Sequence, residues 1–139
     1  MIGIDTNVMA RYIMRDDVVQ TMLADSVIRS LTVRNPGFLS IVVLVELWWI
    51  LRRFYKRSIA DCRDLFEEIL CTDELTVEDQ PSVSRALSQV SQGADFADSL
   101  ISALAQKAGC LTIVTFDRSA SRHAGMTLLT ESLGQSKIG

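Results

Sequence analysis

Apolar and polar positions follow two periods along the chain, and they alternate. Met1-Ile2-Gly3-Ile4 is a short apolar run closed by Asp5, which predicts a strand over residues 2–5. Asp17 and Gln20 have capping-box spacing, and Leu23, Val27, Ile28 and Leu31 then recur at helical period. Asn35-Pro36-Gly37 marks a turn before a short apolar strand over residues 38–40, and Ser40 can cap a helix over residues 41–55. Ser58 and Asp61 repeat the capping spacing ahead of the stripe Ile59, Cys62, Leu65, Phe66 and Ile69. Leu75 and Val77 alternate as a strand. Pro81 suits the first turn of a helix carrying Val83, Ala86, Leu87 and Val90, which stops at Gly93. Asp95 opens a helix striped by Leu100, Ile101, Leu104 and Ala108 and closed by Gly109. Residues 110–115 read as a buried strand, followed by a short helix and a last strand over residues 126–129.

Strands separated by helices require crossovers, so the expected class is α/β, a three-layer α/β/α arrangement with a mostly parallel central sheet. In such sheets ligand sites gather outside the carboxyl ends of the strands. Four acids claim attention on that rule. Asp5 ends the first strand and Asp117 ends the run Leu111-Thr112-Ile113-Val114-Thr115-Phe116. Glu46 stands alone in Ile41-Val42-Val43-Leu44-Val45-Glu46-Leu47-Trp48-Trp49-Ile50-Leu51, where a helix apolar all round is expected to be buried. A carboxylate there is costly without a partner, and Arg52 or Arg53 is the candidate for an ion pair, of which Arg53 could share its face. Asp95 and Asp98 flank Phe96-Ala97 at a helix start, where Asp95 is placed to cap and Asp98 is not explained by capping.

Carboxylates brought close together need a compensating cation. Oxygen ligands without His or Cys favour a hard ion, Mg²⁺ or Mn²⁺. Such ions polarise phosphoryl oxygens and activate water. The charge balance fits a polyanionic substrate. The 14 Lys and Arg face 17 acids, but with the four site acids set aside 13 remain, so the rest of the chain is cationic by one. Arg11, Arg15, Arg118 and Arg122 lie shortly after the strand-end acids, Arg52-Arg53 and Lys56-Arg57 follow the helix of Glu46, and these cations are candidates to hold the phosphates of such a substrate.

The remaining composition narrows the setting. A length of 139 residues predicts one domain over 1–139, and 48% hydrophobic residues with a net charge of -3 exclude a disordered chain. The longest apolar stretch, residues 38–51, is shorter than the roughly 18 residues of a membrane span and contains Ser40 and Glu46. The chain opens on a strand-like segment without a secretory leader, so the expected compartment is the cytoplasm. Cys62, Cys71 and Cys110 lack metal or disulfide spacing and are expected to be buried free thiols. The adjacent Trp48 and Trp49 point about 100° apart on a helix, so one can join the core while the other meets a helix or a second chain.

Three blocks of this sequence resemble the PIN domain, and more narrowly the VapC-type toxin ribonucleases of prokaryotic toxin–antitoxin pairs. They are Ile4-Asp5-Thr6-Asn7-Val8, then residues 41–51 around Val45-Glu46-Leu47, then Asp95-Phe96-Ala97-Asp98-Ser99-Leu100-Ile101 with Val114-Thr115-Phe116-Asp117-Arg118. The resemblance runs in order over residues 1–129. It implies a parallel sheet between helices, a metal-dependent endoribonuclease acting on RNA, a homodimer, and a cognate antitoxin whose C-terminal segment lies across the site. By motif position it assigns Asp5, Glu46, Asp98 and Asp117 to catalysis and to Mg²⁺ or Mn²⁺, with Thr6, Asn7, Asp95 and Thr115 as supporting residues.

Other chemistries fit less well. A haloacid dehalogenase-type phosphatase wants an Asp two residues after Asp5, where Asn7 stands. A receiver domain wants paired N-terminal acids and a late strand-end Lys, whereas Lys107 lies inside a predicted helix and Lys137 in the tail. A Ser-His-Asp hydrolase would depend on the single histidine, His123, at a short helix end. The remaining alternative is a non-catalytic PIN-like module that binds RNA or protein.

Overall fold

Ile2–Gly3 (β1) and Leu75–Val77 (β3) flank Gly37–Leu39 (β2) in a three-stranded parallel sheet of order β1-β2-β3. Ile2 pairs with Gly37, and Gly37 with Leu75. Close approach favours Gly37, because a Cβ there would sit 2.5 Å from Ile4 Cδ1 and 2.9 Å from Leu31 Cδ1 and those buried side-chain ends would have to shift. The structure is a computed structural model that describes residues 1–130; it divides into two units, Met1–Gln80 and residues from Pro81 onward.

In the first unit, helices fill each crossover between the parallel strands, as parallel pairing demands. They are Thr6–Met14 (α1), Val18–Ser30 (α2), Ile41–Arg53 (α3) and Ile59–Leu70 (α4). The predicted caps are present. Asp17 accepts from the Gln20 N–H, Ser40 from Val43 and Ser58 from Asp61, each satisfying an otherwise orphaned donor of a first turn. Helix α1 packs on α2 and α3, and α3 on α4. The α3–α4 contact includes Trp48, whose ring meets Phe66 edge-on at 5.2 Å and 89°. Leu39, Leu44, Leu47, Leu51, Cys62 and Phe66 are buried, and burial pushes the Cys62 thiol pKa up.

The second unit holds Gln80–Val90 (α5), Phe96–Lys107 (α6) and Arg118–His123 (α7), with Val114–Thr115 (β4) paired in parallel to Thr127–Leu128 (β5). Helix α5 starts at the boundary itself, with Pro81 in its first turn as expected. Ala120, Ala124 and Met126 form a small apolar cluster with Ile113. His123 ends α7 exposed, beside Gly93.

The α/β class with parallel strands is as the sequence predicts, but Leu23 and Val27 of the stripe expected on α2 and Ile101 of that on α6 are exposed, and four further details differ. Helix α1 was not expected, although Met9 and Ala10 are buried on one face of it. The strand predicted over residues 110–115 shrinks to β4, and Leu111 is fully exposed. A short apolar run carries no information about whether a neighbour covers it, and β5 supplies only two residues to pair. Cys71 and Cys110 are exposed rather than buried, since they fall at the ends of α4 and α6 and not on their apolar stripes. Helix α3 is buried on one side only, through Leu44, Leu47, Trp48 and Leu51.

Candidate functional site

Two groups of site residues can be built, one in each unit. In the first unit Asp5 follows β1 as the residue before α1, with extended backbone at φ -78° and ψ 157°. Its position is that of a helix cap, yet its side chain makes no capping hydrogen bond. The carboxylate is exposed and unspent on local structure. Thr6 is buried, and its hydroxyl donates to Glu46 Oε1 at 3.2 Å, which ties the start of α1 to the middle of α3. Asn7 is exposed one residue further on.

Glu46 overturns the expectation of a carboxylate trapped in a wholly apolar helix. It is exposed, on the side of α3 that also leaves Val42 and Trp49 open. An unbroken apolar run does not distinguish a helix covered all round from one covered on a single face, as α3 is. The ion pair with Arg53 is also missing. Among the described residues the ion pairs are Arg11–Asp16, Arg15–Asp25 and Arg29–Asp25, and none uses a site acid.

In the second unit Asp95 caps α6 as predicted, its Oδ2 accepting from the Asp98 N–H at 3.1 Å. Asp98 is half-buried one turn in. Its carboxyl pKa lies above the ordinary value, first because burial disfavours the anion and then because Asp95 and Asp117 add like charge. Asp117 caps α7, accepting from Ser119 and Ala120 at 2.7 and 3.1 Å through the same oxygen, Oδ1. The Thr115 hydroxyl oxygen accepts from the Asp117 N–H at 3.0 Å and so fixes the turn that presents it. The structure therefore brings Asp98 into electrostatic contact with Asp95 and Asp117.

The candidate RNA contacts are differently employed. Arg11 donates to Gln20, Asp16 and the Tyr55 hydroxyl, at 2.7, 3.2 and 2.9 Å. Arg15 meets Asp25 through a two-pronged fork at 2.9 and 2.7 Å, which holds the Asp25 carboxyl pKa below its ordinary value. Arg118 is exposed at the start of α7. Sequence reasoning missed Asp25 and Tyr55 as the partners of these arginines. Asp25 carried a signal, because it shares the buried face of α2 with Thr21 and Ala24.

The chemistry of the donor set fits a hard divalent cation. All candidate ligands are carboxylate oxygens, Asp5 makes no capping bond, and Asp98 carries unbalanced like charge. Among the described residues, however, no three Asp, Glu, His or Cys side chains form a cluster able to hold a metal ion.

The PIN domain family model matches residues 2–126. This chain belongs to the PIN domain family. That stretch contains all four acids singled out from the sequence, and PIN domains are typically nucleases. The match agrees with the α/β/α class expected from the sequence. No curated protein and no solved structure matches the chain. No described helix of this PIN chain is long and apolar enough to cross a membrane.

Proposed function

We propose that this PIN chain is a Mg²⁺- or Mn²⁺-dependent endoribonuclease that hydrolyses RNA phosphodiester bonds as the toxin of a toxin–antitoxin pair. The observation that carries this reading is the family match over residues 2–126, a stretch that contains Asp5, Glu46, Asp98 and Asp117. The proposal includes a single working domain over 1–139, a homodimer in the cytoplasm and a cognate antitoxin.

In this reading the four carboxylates hold the cation, which when bound supplies Lewis-acid activation of the phosphodiester and of water. The chain's own groups do the positioning. The Thr6 hydroxyl orients Glu46, the Asp95 cap sets the first turn that carries Asp98, and Thr115 fixes the turn at Asp117. Asn7 is the further polar neighbour of Asp5. Arg118 is available to phosphate, whereas Arg11 and Arg15 must leave Asp16 and Asp25 to serve in that way.

The test is mapping of RNA ends after incubation with and without Mg²⁺, using wild type, Asp5→Asn and Asp98→Asn. New ends made by wild type only with Mg²⁺, and lost in both variants, support the reading. Undiminished cleavage by both variants refutes it. A non-catalytic PIN module that binds RNA or protein is the second reading, favoured by the lack of a three-ligand cluster among the described residues. RNA binding without any metal-dependent cleavage would select it.

A further inference from the structure

Helix α3 carries one open stripe. Val42, Glu46, Trp49 and Arg53 are spaced by four, three and four residues, so they share a face, and all four are exposed. The helix's buried side is taken by Leu44, Leu47, Trp48 and Leu51. The two tryptophans thus divide cleanly. Trp48 is 7% exposed and packed on Phe66, while Trp49 is 61% exposed. Leaving an indole of that size in water forgoes a large gain in burial. The other large exposed aromatic of this region, Phe54, already has its ring against Tyr55 at 4.9 Å.

We propose that Trp49 is a base-stacking residue for single-stranded RNA and that Arg53 is its phosphate contact. This rests on the nuclease reading above and names how the substrate is held beside Glu46. The sequence of chemistries along the stripe chooses the occupant. A carboxylate one turn before the indole and a guanidinium one turn after it make a poor apolar interface, since a covering protein would have to bury both charges. A nucleotide satisfies the indole and the guanidinium at once, with its base on the ring and its phosphate on the cation. The cations that follow extend the same preference, because Arg53 and Lys56 are exposed and enter no ion pair among the described residues. Stacking also tolerates any base, as every base has a π-face.

Fluorescence separates the two indoles, since Trp48 and Trp49 are the only tryptophans in the chain. The full-length protein is titrated in EDTA with a single-stranded oligoribonucleotide, so that binding is read without cleavage. The Trp48→Phe variant, in which only Trp49 emits, should be quenched by RNA, and the Trp49→Phe variant should show little quenching of Trp48. Affinity should fall about 5- to 150-fold in Trp49→Leu, the loss expected of one stacked base, and stay within about threefold in Trp49→Phe. Arg53→Gln should flatten the dependence of log affinity on log salt by about one. Because Trp49 and Arg53 are exposed, changes at those two positions leave the core intact, and unchanged melting of Trp49→Leu checks this. Trp48→Phe alone touches the core, so its melting is compared with wild type before it is titrated.

Equal RNA affinity of wild type and Trp49→Leu overturns the proposal. Quenching of Trp49 by raising protein concentration alone, with matching growth in sedimentation, also overturns it, by showing that a second copy covers the ring. Failure here is distinguishable from failure of the nuclease reading. If Mg²⁺-dependent cleavage is present and Trp49→Leu cleaves like wild type, stacking alone is refuted. If cleavage is absent while RNA binding still depends on Trp49, stacking holds and the catalytic assignment falls.

Discussion

The Thr6 hydroxyl donates to Glu46 Oε1 at 3.2 Å across 40 residues of chain. Thr6 is buried and Glu46 is exposed, so the bond holds one carboxylate oxygen, Oε1, and leaves Oε2 for the cation that the proposed function assigns to it. Groups that orient a metal ligand typically change metal affinity or activity by about 10–100-fold when removed. Thr6→Val keeps the shape and deletes the donor. It should lower Mg²⁺-dependent cleavage by about that factor and raise the Mg²⁺ concentration needed for half-maximal rate. Thr6→Ser retains the hydroxyl and should recover most of the loss, which a purely packing role for the threonine methyl would not allow.

Asp98 stores unfavourable free energy in the metal-free protein. Its folded pKa is raised above the unfolded value, mainly by burial and then by Asp95 and Asp117. The folded state therefore holds the proton more tightly, and stability falls as pH rises from the unfolded pKa to the folded one. Above the folded pKa the penalty is constant. Asp98→Asn removes it, so the metal-free variant should melt higher than wild type at pH 7, with the difference shrinking as pH falls through the folded pKa and gone below the ordinary value of 3.8. Added Mg²⁺ should raise the melting temperature of wild type more than that of the variant, if the carboxylate is a ligand. A lower melting temperature for Asp98→Asn at pH 7 counts against this account.

Much of the fold was legible because its signals are local. Asp17, Ser40, Ser58 and Asp95 each cap the helix expected to follow them, two by capping-box spacing and two by position. Burial was less legible, since it depends on what the rest of the chain brings to a surface. Glu46 shows this most sharply. Ten apolar residues surround it in sequence, yet α3 turns its Val42, Glu46 and Trp49 side outward. Pairing between distant segments was also hidden, which is why Arg11 and Arg15 read as free cations before Asp16 and Asp25 claimed them. The candidate acids were visible individually, Asp5, Asp98 and Asp117 by their place at strand and helix ends and Glu46 as the one charge in an apolar run. Their capping bonds differ, however: Asp95 and Asp117 are spent in part on first-turn N–H groups, and Asp5 is not.

The Arg15–Asp25 fork predicts a second, opposite pH signature. Hydrogen bonding and charge from Arg15 hold the folded pKa of Asp25 below its unfolded value, against the opposing effect of desolvation. A depressed carboxylate pKa contributes stability above the unfolded pKa, and that contribution is lost as pH falls through the folded pKa. Arg15→Met removes the fork and keeps much of the side-chain length. Its melting temperature should lie below that of wild type at pH 6, and the two acid-melting curves should converge at low pH once Asp25 is protonated in both. Curves that stay parallel down to the acid limit would assign the loss to packing instead of the ion pair.

Gly37 sits at the register point of the sheet, paired to Ile2 on one side and to Leu75 on the other. A methyl at Gly37 would meet Ile4 Cδ1 at 2.5 Å, Leu31 Cδ1 at 2.9 Å and Leu75 Cδ2 at 3.2 Å. The first two contacts are closer than carbon atoms normally approach, so those side chains must change rotamer or the strands must part. Overpacking of this kind costs about 1–3 kcal/mol. Gly3 provides the control, because a Cβ there meets nothing within 4 Å and that residue lies in the same sheet. Gly3→Ala should be neutral or stabilising by up to about 1 kcal/mol through the unfolded chain. Urea melts of the two alanine variants should therefore move in opposite directions, or only the Gly37 variant should move. The functional consequence separates two ways of absorbing the methyl. If Ile4 and Leu31 alone yield, Gly37→Ala loses stability but keeps cleavage once assayed well below its melting temperature. If β1 is pushed away from β2, Asp5 moves with the strand end that carries it, and cleavage falls further than the stability loss accounts for.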